Sequence, residues 1–283
     1  MTPVIVINPA RSGGTLLTRI LGSLGNVVMA SEIGTRVGVT PEHGTAPSHL
    51  ALKAQMDEWY GISLRADGLQ ECVSELVSYC TSNDRQLIIR DWTYQDFMPN
   101  KWNRWRPANR FTMLESLRKV SRVRVVALVR DAIDIYLSSM ENIEDFARGH
   151  LRFVETLNAT SVPVFKYEDL VKEPDAFIKR LCDTTGLEYS TDWSAFPRNP
   201  HATGDTRFGS LSRGGRARSV KALPRKRINK GARRRINQCK TLQQANRLLD
   251  YPVSYEQGES FETLAHMAVR RLRHKMAELS HGS

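Results

Sequence analysis

Apolar residues in this chain fall into two alternating patterns. Short unbroken runs rich in Val and Ile occur in VIVI at 4–7, NVVMAS at 26–31, QLIIRD at 86–91, VRVVALVR at 123–130 and VPVFKY at 162–167. Runs of this length, bounded by polar or turn residues, predict strands buried on both faces. Between most of them apolar positions recur at helical spacing: Leu16, Leu17, Ile20, Leu21 and Leu24, then Leu69–Cys80, Phe111–Val120, Ile143–Leu157 and Asp175–Thr185. The last follows Glu173-Pro174, a natural helix start. Strands alternating with helices predict an α/β fold, a central parallel sheet of about five strands flanked by helices in three layers. No internal repeat interrupts this order.

After Gly186 the pattern changes. Residues 194–220 are rich in Gly, Ser, Asn and Pro and predict a loop, after which Lys230–Leu249 and Phe261–Leu279 read as helices with one polar face. A chain of 283 residues is long enough for one large domain or two small ones, and we expect one, spanning 1–283, with a basic loop or arm at 213–235 and a C-terminal helix within 258–283.

Charge narrows the ligands without choosing among them. The formal net charge of +11 suits a small anion, a polyanion, nucleic acid or an acidic membrane surface. The stretch 213–235 contains no acidic residue, and it reads equally as a solvated face or as a binding arm. Cys72, Cys80, Cys182 and Cys239 have unrelated spacings and no histidine partners in a zinc pattern, so we expect reduced thiols and no metal. No stretch approaches the ~20 apolar residues of a membrane span, and the N-terminus enters a strand almost at once, so a cytoplasmic location is expected.

The first strand and helix enclose the most informative segment, VIVINPARSGGTLLTRILGSL. A glycine turn between strand and helix aims successive backbone N–H groups and the positive end of a helix dipole at one point, which suits phosphate or sulfate. Arg11, Ser12 and Thr15 add a charge and two hydroxyls. A nucleotide triphosphatase needs G-x-x-x-x-G-K-[ST], and Gly14 stands where that lysine belongs. There is no G-x-G-x-x-G for a dinucleotide. A tight connection holding no ligand would use the same residues.

Two further segments carry chemistry. ALVRDAIDIYLSSM places Arg130 at the carboxyl end of a strand, where open α/β sheets bind ligands, with Ser138 about two helical turns on. The plain alternative is an ion pair of Arg130 with Asp131 or Asp134. VFKYEDLVKEP places Tyr167 at the end of another strand.

Together, PARSGGTLLTRIL, ALVRDAIDIYLSSM and VFKYEDLVKEP resemble, in order, the signature segments of sulfotransferases that use 3′-phosphoadenosine 5′-phosphosulfate (PAPS), of the bacterial or tyrosylprotein type. The resemblance implies a P-loop-like fold, PAPS as donor, 3′-phosphoadenosine 5′-phosphate (PAP) as product, and a small-molecule or carbohydrate hydroxyl as acceptor. It implies that Arg11, Ser12, Gly13, Gly14 and Thr15, through Leu16, wrap the 5′-phosphosulfate, with Arg11 where many members have lysine. Arg130 and Ser138 match the pair on the 3′-phosphate, and Tyr167 a tyrosine near the adenine. Arg213, Gly214 and Arg216 resemble the late loop that closes over the 3′-phosphate. Ala10, interposed before Arg11, and Gly14, where the family usually has Ser or Thr, depart from the pattern.

The base for the acceptor proton is a separate question. Family members often use a histidine after the strand that here reads LIIRDW, but Trp92 lies close to that place and no histidine carries over. Other branches use a glutamate, and VVMASEIGTRV resembles their segment in placing Glu32 at the end of the second strand. We expect Glu32 as base, with Asp91 second, against an ion pair of Glu32 with Arg36. Arg90 either stabilises the transferring sulfonate or pairs with Asp91. Trp92, Tyr94, Phe97, Trp102 and Trp105 line an acceptor pocket or belong to core and caps, and His43 and His49, in the loop after the second strand, read as surface. Two other functions stay open on the residues alone: a P-loop-type phosphotransferase, and a nucleic-acid-binding protein using 213–235 with salt-sensitive affinity.

Overall fold

The computed structural model describes residues 1–41, 44–99, 106–139, 142–199, 201 and 217–256. The expected helix over 261–279 lies outside these residues, as do His43, Trp102, Trp105, Arg213, Gly214 and Arg216.

A seven-stranded sheet forms the middle layer. Its strands are β1 (Val4–Ile7), β2 (Val27–Ile33), β3 (Val37–Val39), β4 (Thr45–Pro47), β5 (Gln86–Asp91), β6 (Arg124–Val129) and β7 (Val164–Lys166), in the spatial order β4-β3-β2-β5-β1-β6-β7. All five strands read from the sequence are present and pair in parallel, with Val4 opposite both Ile88 and Arg124. β3 and β4 add an antiparallel hairpin at the β2 edge.

Alternation along β1 divides the core. Val4 and Val6 face one layer, containing α1 (Gly14–Leu21) and, from the end of the parallel order, α9 (Pro174–Thr185). Ile5 and Ile7 face the other, built from α2 (Ser48–Tyr60), α3 (Leu69–Ser82), α5 (Thr112–Arg118) and α7 (Ile143–Asn158). Every residue of β1 is buried, which is why it tolerates no polar position. The remaining helices are α4 (Tyr94–Phe97), α6 (Ala132–Ser139), α8 (Tyr167–Lys172), α10 (Lys230–Gln238) and α11 (Lys240–Leu248).

The single helix expected over 230–249 is broken at Cys239, whose ψ of 93° leaves the helical region. The broken helix lets α11 pack along α7 while α10 turns over the α6 end of the molecule, where Ile236 and Leu242 join Ile135, Ile143 and Phe146 in a third apolar cluster. His49 is not in a loop as expected but in the first turn of α2. The loop expected from residue 194 begins inside a 3-10 turn, Thr191–Arg198, whose Phe196 is buried against α1. All four cysteines are free thiols. Among the described residues no helix is long and apolar enough to cross a membrane, and no group of His, Cys, Asp and Glu is arranged to hold a metal ion.

Candidate active site

β1 lies between β5 and β6, so the turn after it opens at the point where the strand order reverses, the usual ligand crevice of an open α/β sheet. The turn is held from within. Ser12 donates its hydroxyl to the Pro9 carbonyl at 2.7 Å and its backbone N–H to the same oxygen at 3.2 Å. Asn8 Nδ2 donates to Pro9 O and Ser12 Oγ. Ser12 is therefore fully buried and shapes the turn, so its hydroxyl serves the turn's own geometry. Arg11 adopts a left-handed conformation with φ 69°, and Gly13, the N-cap of α1, one with φ 97°. No side chain caps α1, whose first-turn N–H groups have no acceptor inside the helix.

Both glycines are required by close approach. A Cβ on Gly13 would lie 2.4 Å from the Tyr167 ring, and one on Gly14 would lie 2.4 Å from Asn8 Nδ2 and 2.8 Å from Arg90 Nε. The departure from Ser or Thr at position 14 thus has a local cause: Asn8 and Arg90 fill the space a hydroxymethyl would take. Thr15 and Leu16 follow, buried in the first turn of α1.

Three distant segments meet at Arg11. Its Nε donates to Ser138 Oγ at 3.3 Å, and its carbonyl accepts from Arg130 at 3.2 Å. The Arg130 guanidinium lies 4.6 Å from the centre of the Tyr167 ring. Arg130 Nε is buried and has no hydrogen-bond partner among the described residues. Asp131 and Asp134 pair instead with Arg225, which anchors the segment before α10 onto the start of α6. An ion pair of Arg130 with its neighbouring aspartates is therefore not what holds that side chain.

Glu32 sits at an irregularity in the β2–β5 pairing, between Ser31 and Ile33, with φ 55°. Such bulges re-aim a side chain at a strand end. Gln55 of α2, fully buried, grips the strand just before it by accepting from Ser31 N at 2.7 Å and donating to Ser31 O and Val39 O. The Glu32 carboxylate forms an ion pair with Arg90 at 2.8 Å, a partner other than the Arg36 weighed for Glu32 or the Asp91 weighed for Arg90. Arg90 also donates to Asn8 Oδ1, Ser31 Oγ and Thr18 Oγ1, which ties the base candidate to the turn through one buried cation. With all three nitrogens engaged and 5% exposure, Arg90 orders the site from beneath.

Asp91 points to the opposite side of β5, as strand alternation requires. It accepts from Thr93 Oγ1 at 3.2 Å. Burial, then the neighbouring Asp96, push its carboxyl well above the ordinary range. Asp96 is itself pushed up to about 6 by burial, against hydrogen bonds from Thr112. Beside this pair, Tyr94 and Phe97 line a narrow apolar cleft that reaches Pro9 and Ala10 of the turn. Phe97 also packs edge-on against Phe111 and Phe153, so it belongs to the core as well as to the wall of this cleft.

Sequence reasoning missed Asn8, Gln55, Arg225 and His150. The last had a visible signal: it falls on the apolar stripe of α7, four residues after Phe146 and three before Phe153. Burial lowers its pKa from 6.5 to about 4. Between those values the unfolded chain binds a proton that the folded chain refuses, so this group makes stability fall as pH drops through that window. Between pH 7 and pH 5 the loss is about 2 kcal/mol. Denaturant titrations are expected to show wild type losing that much more than His150→Phe over the same interval. Parallel pH curves for the two proteins would contradict a neutral, buried imidazole.

Neither a family model nor a curated protein matches the chain. Solved structures do. The sulfotransferase domain from the curacin biosynthetic pathway is similar over 89% of this chain and 98% of that domain, with a TM-score of 0.55 and 16% identity. The sulfotransferase domain from the Synechococcus PCC 7002 olefin synthase is similar over 91% and 96%, with a TM-score of 0.52 and 13% identity. The fold is that of the sulfotransferases, with the P-loop-like layer order expected from the sequence.

Proposed function

We propose that this chain is a PAPS-dependent sulfotransferase acting on an acceptor hydroxyl, and that residues 1–283 form one domain with that activity. The observation that carries the reading is the convergence of Arg11, Arg130, Ser138 and Tyr167 on the Gly13 turn, from β1, the end of β6, α6 and the start of α8. The residues suit a nucleotide with phosphates at both ends. Among the described residues the Arg130 Nε has no hydrogen-bond partner, and Tyr167 lies against the turn with the Arg130 guanidinium over its ring.

In this reading the amides of Gly13 to Leu16, with Thr15 and Arg11, hold the 5′-phosphosulfate, and Arg130 and Ser138 hold the 3′-phosphate. Arg213, Gly214 and Arg216, which lie outside the described residues, are the proposed loop over that phosphate. The acceptor oxygen attacks sulfur in line. The bond from sulfur to the bridging oxygen breaks, its electron pair leaves with PAP, and the acceptor proton passes to Glu32. Arg11 offsets the charge that develops on the leaving phosphate. Arg90 orients Glu32, and Asp91 is the alternative base. The chemistry requires no metal.

Incubation with 35S-labelled PAPS and a mixed panel of alcohols and phenols tests this. Label is expected in an acceptor, with one PAP released per transfer. Absence of transfer, together with magnesium-dependent phosphate transfer from ATP, would replace the reading by a phosphotransferase.

A further inference from the structure

Carboxylates crowd Arg130, yet among the described residues it pairs with none of them. Asp131 follows it in the chain, Asp134 stands on the first turn of α6, and Glu168 lies on the first turn of α8 beside Tyr167. The last two are within electrostatic reach of its guanidinium. Burial pushes both carboxyls upward, and the Arg130 charge opposes that push, after Arg225 at Asp134 and after the Tyr251 hydrogen bond at Glu168. A cation placed this way gains most by closing on a bare carboxylate. Arg130 instead lies over the Tyr167 ring and donates to the Arg11 carbonyl.

The reason is that residues of the 225–251 segment occupy all of these carboxylates. Tyr251 donates its hydroxyl to Glu168 Oε2, and the Asp131 N–H donates to Oε1. Asn246 Nδ2 donates to Asp131 Oδ1 at 2.9 Å, an oxygen that also accepts from Ile133 N. Arg225 takes the rest: its Nη2 pairs with Asp131 Oδ2, and its Nε donates to Asp134 Oδ1 at 2.9 Å. Asp134 has no second partner among the described residues, so Arg225 alone holds its charge.

We infer that Arg225 is a positioning residue for the donor nucleotide: by holding Asp134 and the Oδ2 of Asp131, it keeps both carboxylates off Arg130 and reserves that guanidinium for an anionic ligand. The inference rests on the reading of Arg130 as the partner of the 3′-phosphate. A carboxylate released beside Arg130 would compete with PAP at the high effective concentration of a tethered group. It would also repel the phosphate it stands next to. Arg225 removes both costs through Arg130, without a contact of its own to the nucleotide.

Calorimetry with PAP on the full chain reads this through a double-mutant cycle. Arg225→Met is expected to weaken PAP binding about tenfold, and Asp134→Asn alone to leave it within about twofold of wild type. Combining Arg225→Met with Asp134→Asn is expected to bring the affinity back to within about threefold of wild type. Arg225→Lys, which keeps the charge, falls between wild type and Arg225→Met. An Arg225 that itself gripped the phosphate would leave the double variant as weak as Arg225→Met. An Arg225 that only anchored its segment would make Asp134→Asn as weak as Arg225→Met. Either result overturns the inference, and the Asp134→Asn arm stands even where Arg225→Met does not fold. A second readout needs no nucleotide: the Arg130 Nε–H signal in 15N NMR of the unliganded protein, identified by its loss in Arg130→Ala. It is expected to shift in Arg225→Met and to return in the double variant, whereas a signal unmoved by Arg225→Met contradicts the inference. Failure of wild type to bind PAP strikes the donor reading instead, and the NMR signal then decides the role of Arg225.

Discussion

Glu32→Gln is expected to lower kcat by roughly 10²–10⁴ while leaving PAP affinity unchanged, the range associated with removing a positioned proton acceptor. The substitution is gentle in structural terms. An amide oxygen at the same place still accepts from Arg90, so the bulge at Ser31–Ile33, the Gln55 clamp and the turn beneath Gly14 keep their partners. What is lost is the ability to take a proton. Single-turnover measurements with saturating PAPS separate this chemical effect from weakened binding. Asp91→Asn is the necessary companion, because the buried Asp91 carboxyl is pushed upward and sits near the same strand end. If Asp91→Asn abolishes turnover and Glu32→Gln does not, the base is Asp91 and Glu32 only anchors Arg90.

The second large effect is expected at Arg130. Arg130→Ala removes a guanidinium that stacks on Tyr167, braces the Arg11 carbonyl and has a buried nitrogen in need of an acceptor. Loss of a charge-assisted contact of this kind costs about 2 kcal/mol, roughly a 30-fold weaker Kd for PAP. The loss should be confined to nucleotides that carry a 3′-phosphate. Adenosine 5′-phosphate is expected to bind wild type and Arg130→Ala within about twofold of each other. An equal loss for both nucleotides would mean that Arg130 acts through the turn's shape and not through the 3′-phosphate.

Much of this arrangement was legible before any coordinates. The five parallel strands announced themselves as β-branched runs, most clearly β1, since a strand covered on both faces has no polar positions to confuse the pattern; β7, at the sheet edge, leaves Val164 exposed. The β3–β4 hairpin did not, since Val37-Gly38-Val39 and Thr45-Ala46-Pro47 are too short to display a period. Helix α2 was hidden for a different reason: Gln55 occupies its buried face, where a hydrophobic residue would have completed the stripe. That glutamine is spent on holding β2 beside Glu32, so a local rule is broken at the candidate site, where such breaks concentrate.

Arg11, Arg130, Ser138 and Tyr167 were each readable from a strand end or a motif, and the fold brings them together. Their wiring was not readable. Arg90 was open to pairing with its sequence neighbour Asp91, yet consecutive strand residues face opposite sides, and Arg90 instead crosses to Glu32 on the adjacent strand. Likewise Asp131 and Asp134 pair with Arg225, more than ninety residues away, because the segment before α10 folds back onto α6. Spacing along a chain carries no information about such long-range partners.

The account depends on the turn and its arginines recognising both phosphates of one nucleotide. Titrating wild-type protein with PAP and with adenosine 5′-phosphate in the same calorimeter measures that recognition without any acceptor. The account predicts saturable binding of PAP at a single site, at least 30-fold tighter than adenosine 5′-phosphate. No heat with PAP, or equal affinity for the two nucleotides, would contradict it.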